Sequence, residues 1–285
     1  MRAVFVFCEG IHDITFVVRS LGQLANATWV GDSIGKLPSP LGPIPDPLNP
    51  TKPKLESLIA KRYSGRTLDE LRLKAAAHAP LPAFEAIVKA NDTLYVLIRC
   101  HGDGASQAAI KLLDDTKVLL NPVFGTDVKE IAAAFIFDAD ASLMKRESTF
   151  AIEYASLLQD VLAPTHGKWV KGSDRVGLYV FHNQATKSGS LEEIIAPLVA
   201  AEWGTRWAAA DAYLNQNAQL TDPVKVKRSE WLKAQINVTG QFLFPGDPMS
   251  IVISKPRGGM PGLRDAHFTG GESQALVNFL NGVLW

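Results

Sequence analysis

Two short acidic motifs carry the residue types that could do chemistry. The first is Glu9-Gly10 followed by Asp13, directly after the apolar run Val4–Cys8. The second is Asp138-Ala139-Asp140, directly after Ala133–Phe137. Carboxylates gathered at one place repel each other unless a cation compensates them. All-oxygen sites of this kind suit hard ions, so Mg²⁺ or Mn²⁺ is the expected cofactor. Such an ion polarises a phosphoryl oxygen, and a carboxyl held among other acids can carry a proton near neutral pH.

For these motifs to meet, each apolar run must be a buried strand that delivers its acid to the same end of a sheet. In open α/β sheets that end is where ligands bind. The pattern predicts strands over 2–8, 93–98, 133–137 and 175–181. It predicts helices over 12–24, to about Lys117, near 143–162, over 190–202, 205–217 and 222–236, and a last one closing at Trp285. Two or three further helical segments are expected before Ala90. Alternating strands and helices imply an α/β fold with a mainly parallel sheet flanked by helices. Seven prolines between Gly35 and Pro53 imply an extended loop, a candidate arm for a protein partner.

Each motif also has a plain structural reading. Glu9-Gly10 suits a turn with Gly10 at positive φ, and Asp13 suits a helix first turn. Asp138 to Ser142 suits a helix start. Their joint occurrence after two strands is what points to a metal site. Asp138 and Asp140 share a face if the strand continues through them. If it stops at Phe137, a turn must bring them together.

The rest of the composition excludes more than it assigns. The chain has 285 residues, with 29 Lys+Arg against 29 Asp+Glu, so no overall basic coat is available for nucleic acid. A local patch is possible: Lys225, Lys227, Arg228, Lys233, Lys255, Arg257 and Arg264 face only Glu230 and Asp247 in that stretch. The first apolar run is too short for a secretory signal, and no run approaches a membrane span, so a cytoplasmic protein with no membrane contact is expected. Cys8 and Cys100 read as small buried thiols. His101-Gly102-Asp103-Gly104 reads as a tight turn at the same edge, without the Lys-Ser/Thr of an ATP-binding loop.

The Glu-Gly start and the later Asp-x-Asp resemble the Toprim domain of topoisomerases, primases and overcoming-lysogenization-defect nucleases. A narrower resemblance, to a Toprim-related family of uncharacterised microbial proteins, covers most of the chain. It rests on Glu9-Gly10-Ile11-His12-Asp13, the turn at His101–Gly104, the strand ending in His182-Asn183, Gly189-Ser190-Leu191-Glu192, the helix Lys225–Ala234 and the aromatic end Phe279–Trp285. The resemblance implies a Toprim-like domain over 1–204, with 32–90 as an insertion, and a mostly helical extension over 205–285. It implies Glu9 as general acid or base and Asp138 and Asp140 as metal ligands, in nuclease-like phosphodiester chemistry on DNA or RNA. Asp13 is a further candidate ligand. Asn183, Glu192 and Asp103 are candidates for the site's edge, and Lys225, Lys227, Arg228, Lys255 and Arg257 for nucleic-acid contact. His182-Asn183 stands where a carboxylate is expected, which questions a second metal. Two alternatives stay open. One is metal, nucleic-acid or partner binding without turnover. The other is a haloacid-dehalogenase-like phosphatase built on Asp138 and Asp140, which leaves Glu9-Gly10 unexplained and lacks its second late acid.

Overall fold

The structure is a computed structural model, and it describes residues 2–31, 83–100, 106–118, 128–159, 161–217, 228–243, 245, 252–254 and 262–283. The proline-rich stretch, His101–Gly104 with Asp103, and Lys225, Lys227, Asp247, Lys255 and Arg257 lie outside these residues.

Seven strands form one sheet: β1 (Arg2–Cys8), β2 (Thr28–Gly31), β3 (Ala83–Ala90), β4 (Thr93–Arg99), β5 (Glu130–Asp138), β6 (Lys168–Lys171) and β7 (Arg175–Phe181). Their order is β2-β3-β4-β1-β5-β7-β6. The four central strands β4, β1, β5 and β7 run parallel, and the outer strands pair antiparallel. The central strands are the near-continuous apolar runs, as a sheet covered on both faces requires. Around them lie α1 (Ile11–Leu21), α2 (Ser106–Val118), α3 (Leu143–Glu153), α4 (Ala155–Leu158), α5 (Leu191–Glu202), α6 (Gly204–Asn217), α7 (Arg228–Gln241) and α8 (Gly271–Asn281), with a 3₁₀ turn at Asp265–Phe268. This is the expected α/β class, with helices covering a mainly parallel sheet and helices dominating the C-terminal part.

Alternation along the strands makes two cores. Val4, Val6 and Cys8 point with Tyr95, Ala134, Ile136 and Phe181 toward α1, α5 and α8. Phe5 and Phe7 point with Val96, Ile98, Phe135 and Phe137 toward α2, α3 and α4. Ile236, Val252, Ile253, Leu263, Phe268, Leu276 and Leu280 belong to the first cluster, so the C-terminal part is built into the sheet's own core.

Several elements differ from the sequence reading. Ala83–Ala90 is a strand rather than helix. Its register ends at Ala90↔Thr93, a tight hairpin in which Asn91 takes φ 52°. The Ala, Glu and Lys of this segment suit a helix, but pairing with β4 and burial of Ile87 and Val88 decide otherwise. The edge strands β2 and β6 had no clear signal. The helix expected near 143–162 breaks at Tyr154, whose ring stacks on Phe150 at 4.7 Å and lies 4.3 Å from Phe135. The last helix stops at Asn281 with Gly282 as its cap, and the 222–227 part of the helix expected over 222–236 lies outside the described residues.

Gly177 in β7 is needed for space. A Cβ there would lie 2.6 Å from the Trp169 ring and 2.8 Å from Phe279, two rings already stacked at 5.1 Å. Gly177→Ala is expected to lower stability by about 1–3 kcal/mol, as overpacking does; urea unfolding within error of wild type would refute this account.

Candidate active site

β1 lies between β4 and β5, and the chain passes from one flank of β1 to the other through α2. The crevice at the carboxyl ends of β1 and β5 is therefore where the sheet changes winding direction. The register Cys8↔Ile136 sets the Glu9-Gly10 turn alongside Phe137-Asp138. Two acids from separate motifs thus reach one edge because both strands run parallel and in near-matching register.

Gly10 is extended, with φ −135°, so the positive φ considered for it is absent. Its N–H donates to Asp13 Oδ2 at 2.7 Å, which makes Asp13 the first-turn acid of α1. Asp138 Oδ1 accepts the N–H of Leu191 at 2.9 Å, the first residue of α5. Burial pushes the Asp138 carboxyl well above the ordinary carboxylate range, and the charges of Asp13, Glu9 and Glu192 push it further; the Leu191 N–H opposes them and loses. Burial likewise raises Asp13 to about 7, against the pull of the Gly10 N–H. These carboxylates share one electrostatic field, as coupled sites do.

β5 ends at Asp138, and the backbone turns left-handed at Asp140, φ 50°. Asp138 and Asp140 consequently do not share a strand face. Asp140 instead exchanges two backbone hydrogen bonds with Gly189, at 2.8 and 2.7 Å. Gly189 has φ 105°, and a Cβ there would meet the Glu193 carboxylate at 2.7 Å, so the loop before α5 requires glycine at this point.

Arg146, in the first turn of α3, went unnoticed in the sequence. Its side chain is 9% exposed. Its Nε donates to the Asp138 carbonyl at 2.8 Å and its Nη2 to Asp140 Oδ2 at 3.0 Å, while Nη2 also lies 3.3 Å from Glu9 Oε1. The guanidinium stands 5.4 Å from the centre of the Phe137 ring. A cation in a helix first turn opposes the helix dipole, and only that mismatch hinted that Arg146 answers to something outside its own helix.

The edge candidates separate. Glu192 is buried in the first turn of α5, accepting from Ser190 Oγ at 2.7 Å and facing Lys233 at 3.5 Å. Asn183 shapes the loop, its Oδ1 accepting the Ala185 N–H at 2.9 Å, and it joins Asp140, Glu193 and Arg228 in lining a cleft of about 460 Å³. Arg228 and Lys233 thus bring two cations of the basic stretch beside the acidic corner. His182 is buried, its Nδ1 2.8 Å from the Val180 carbonyl. Burial and nearby Lys233 lower the His12 pKa. Cys8 and Cys100 are free and buried, as expected.

No protein-family model and no curated protein matches the chain. Among solved structures, the crystal structure of a hypothetical protein from Pyrococcus horikoshii OT3 is similar at 12% identity, covering 99% of this chain and 95% of that one, with a TM-score of 0.48. A likeness that low carries no argument about fold or function. No helix among the described residues is long and apolar enough to cross a membrane.

For a divalent cation, the donor chemistry fits: Asp13, Asp138 and Glu192 offer hard oxygens from α1, β5 and α5. The spacing does not yet assemble them, since no three His, Cys, Asp or Glu among the described residues stand close enough to hold an ion together.

Proposed function

We propose that this corner performs divalent-metal-dependent phosphodiester chemistry on nucleic acid, as a Toprim-like site. The observation that supports it is Asp138, held at the carboxyl end of a central strand among the charges of Asp13, Glu9 and Glu192, so that its carboxyl is protonated far more readily than usual. A group in that field gains from a cation as much as from a proton. Asp138 and Asp13 would hold the ion, Mg²⁺ or Mn²⁺, with Glu192 beside them. When bound, the ion supplies Lewis-acid stabilisation of charge on a phosphoryl oxygen. Glu9 lies at the mouth of the same crevice and serves as the general acid or base, with Arg146 fixing its carboxylate. Arg228 offers a phosphate contact at the cleft beside Asp140. From there a second hollow of about 300 Å³ runs past Pro197 to Trp207, whose ring could take a base.

One observation favours a second reading, binding without turnover: Arg146 already engages both Glu9 and Asp140. The test is Mn²⁺ calorimetry on wild type and Asp138→Asn, followed by a cleavage screen on single- and double-stranded DNA and RNA. Binding that weakens at least tenfold in the variant, with cleavage abolished by Glu9→Gln, is the expected result. Metal binding with no cleavage of any nucleic acid selects the second reading. No binding in wild type, with or without an oligonucleotide, removes both.

A further inference from the structure

We propose that the two hollows beside Asp140 form one slot for an unpaired guanine nucleotide, with its ring against Trp207, its Watson–Crick edge on Glu193 and its phosphate at Arg228. This rests on the nucleic-acid reading above and deepens it by naming the base the substrate presents. The hollow of about 300 Å³ is bounded by residues of α5, α6 and α7, and the cleft of about 460 Å³ reaches from there to Asp140. Asn183, Glu193 and Arg228 line both, so the two meet at these residues. Ala196, Pro197 and Ala200 give the smaller hollow a floor of compact side chains on α5, and Trp207 and Leu232 complete it. A space of that size beside an indole suits one planar ring, and stacking on an aromatic side chain holds a base.

Two opposite charges line this slot, and neither is answered among the described residues. Glu193 has no ion pair there, and its carboxylate accepts one long hydrogen bond, from Asn183 Nδ2 at 3.5 Å. Arg228 is exposed and has neither a hydrogen bond nor an ion pair among the described residues. Pro197 also withholds from the Glu193 carbonyl the N–H that another residue at that place in α5 would donate. One residue thus presents a carboxylate and a backbone carbonyl, which only accept. Guanine carries two adjacent donors on its Watson–Crick edge, N1–H and the N2 amino group, and a carboxylate takes both at once. Adenine has an acceptor at N1, which the carboxylate repels. Arg228 serves the other end of the nucleotide, because a guanidinium fork matches phosphate oxygens. Reading that edge requires a base with no pairing partner, so the slot selects single strands over duplex.

The test is binding of 5′-GMP, 5′-AMP and guanosine without metal, read by calorimetry and tryptophan fluorescence, with folding of each variant checked by circular dichroism. Wild type is expected to bind 5′-GMP about tenfold tighter than 5′-AMP, or more. Glu193→Gln is expected to invert that preference, because an amide offers adenine one donor and one acceptor; loss of a merely structural glutamate would not. Trp207→Ala should weaken both nucleotides about tenfold, and Arg228→Ala should weaken 5′-GMP but not guanosine. Wild type that binds neither nucleotide, or both equally, overturns the inference whether or not any variant folds. So does tighter binding of the dipeptide leucylglycine than of 5′-GMP, which would assign the two charges to a zwitterionic chain end. The slot and the reading it rests on fail separately. Cleavage of nucleic acid in Mn²⁺ with no guanine preference removes the slot alone, and guanine-selective binding with no cleavage of any nucleic acid upholds the slot and removes the catalytic reading.

Discussion

Asp138→Asn is expected to make the protein more stable above neutral pH and to raise its Tm there. The substitution keeps an oxygen for the Leu191 N–H while removing a charge that sits buried among other acids. The direction follows from proton linkage. The native carboxyl binds its proton at a higher pH than the unfolded one, so the native state holds more protons in the window between. Stability is therefore full below the unfolded carboxylate value and is lost as pH rises through the native one. The advantage of the variant should accordingly disappear near pH 4 and grow toward pH 8. On the proposed metal reading, saturating Mn²⁺ reverses the ranking, because a ligand at a hundredfold its Kd stabilises the protein that binds it by about 2.7 kcal/mol. Thermal melts across pH, with and without Mn²⁺, read all of this. A variant less stable than wild type at pH 8 would show that the Leu191 hydrogen bond outweighs desolvation and repulsion.

Arg19→Ala is expected to cost about 3–5 kcal/mol, the range for breaking a buried charged network. Arg19 is 6% exposed and reaches from α1 into the C-terminal part. It donates to the carbonyls of Ile253 and Leu263, both at 2.7 Å, and to Asp265 at 3.0 Å, and lies over the Phe268 ring at 4.2 Å. Asp265 is half exposed, so its charge contributes little. The loss comes from two carbonyls left without their donor and from the packing on Phe268. Arg19→Lys should recover less than half, since an ammonium cannot fork between the two carbonyls. Urea unfolding gives the magnitude. Limited proteolysis should then cut first within the C-terminal part, and a variant within 0.5 kcal/mol of wild type would mean that the hydrophobic contacts of Phe268 and Leu276 hold that part unaided.

The legible parts of the sequence were those with one dominant local signal. β1, β4, β5 and β7 are runs too apolar to be anything but central strands, and Leu191–Glu202 follows a serine with two acids in its first turn, as a helix start should. Glu9 and Asp138 were placed at one edge because any acid that ends a parallel central strand must be there. The segment Ala83–Ala90 was misread because its residues serve helix or strand, and only the hairpin with β4 decides between them. β2 and β6 are four residues each, too short for periodicity to show.

What the sequence by itself determined is the α/β class, the central strands and the edge to which the two acidic motifs belong. These follow from continuous apolar runs alternating with helical segments and from the polarity of parallel strands, both properties of neighbouring residues. Only the tertiary structure decided how the acids are shared out. The left-handed turn at Asp140 separates it from Asp138, and Arg146, eight residues beyond Asp138, closes back on Glu9 across 137 positions of chain. The raised proton affinity of Asp138 is likewise a property of the assembled corner, because it arises from burial and from the charges of Asp13, Glu9 and Glu192, which are distant in sequence. Such effects depend on distances and burial through space, which no spacing along the chain encodes.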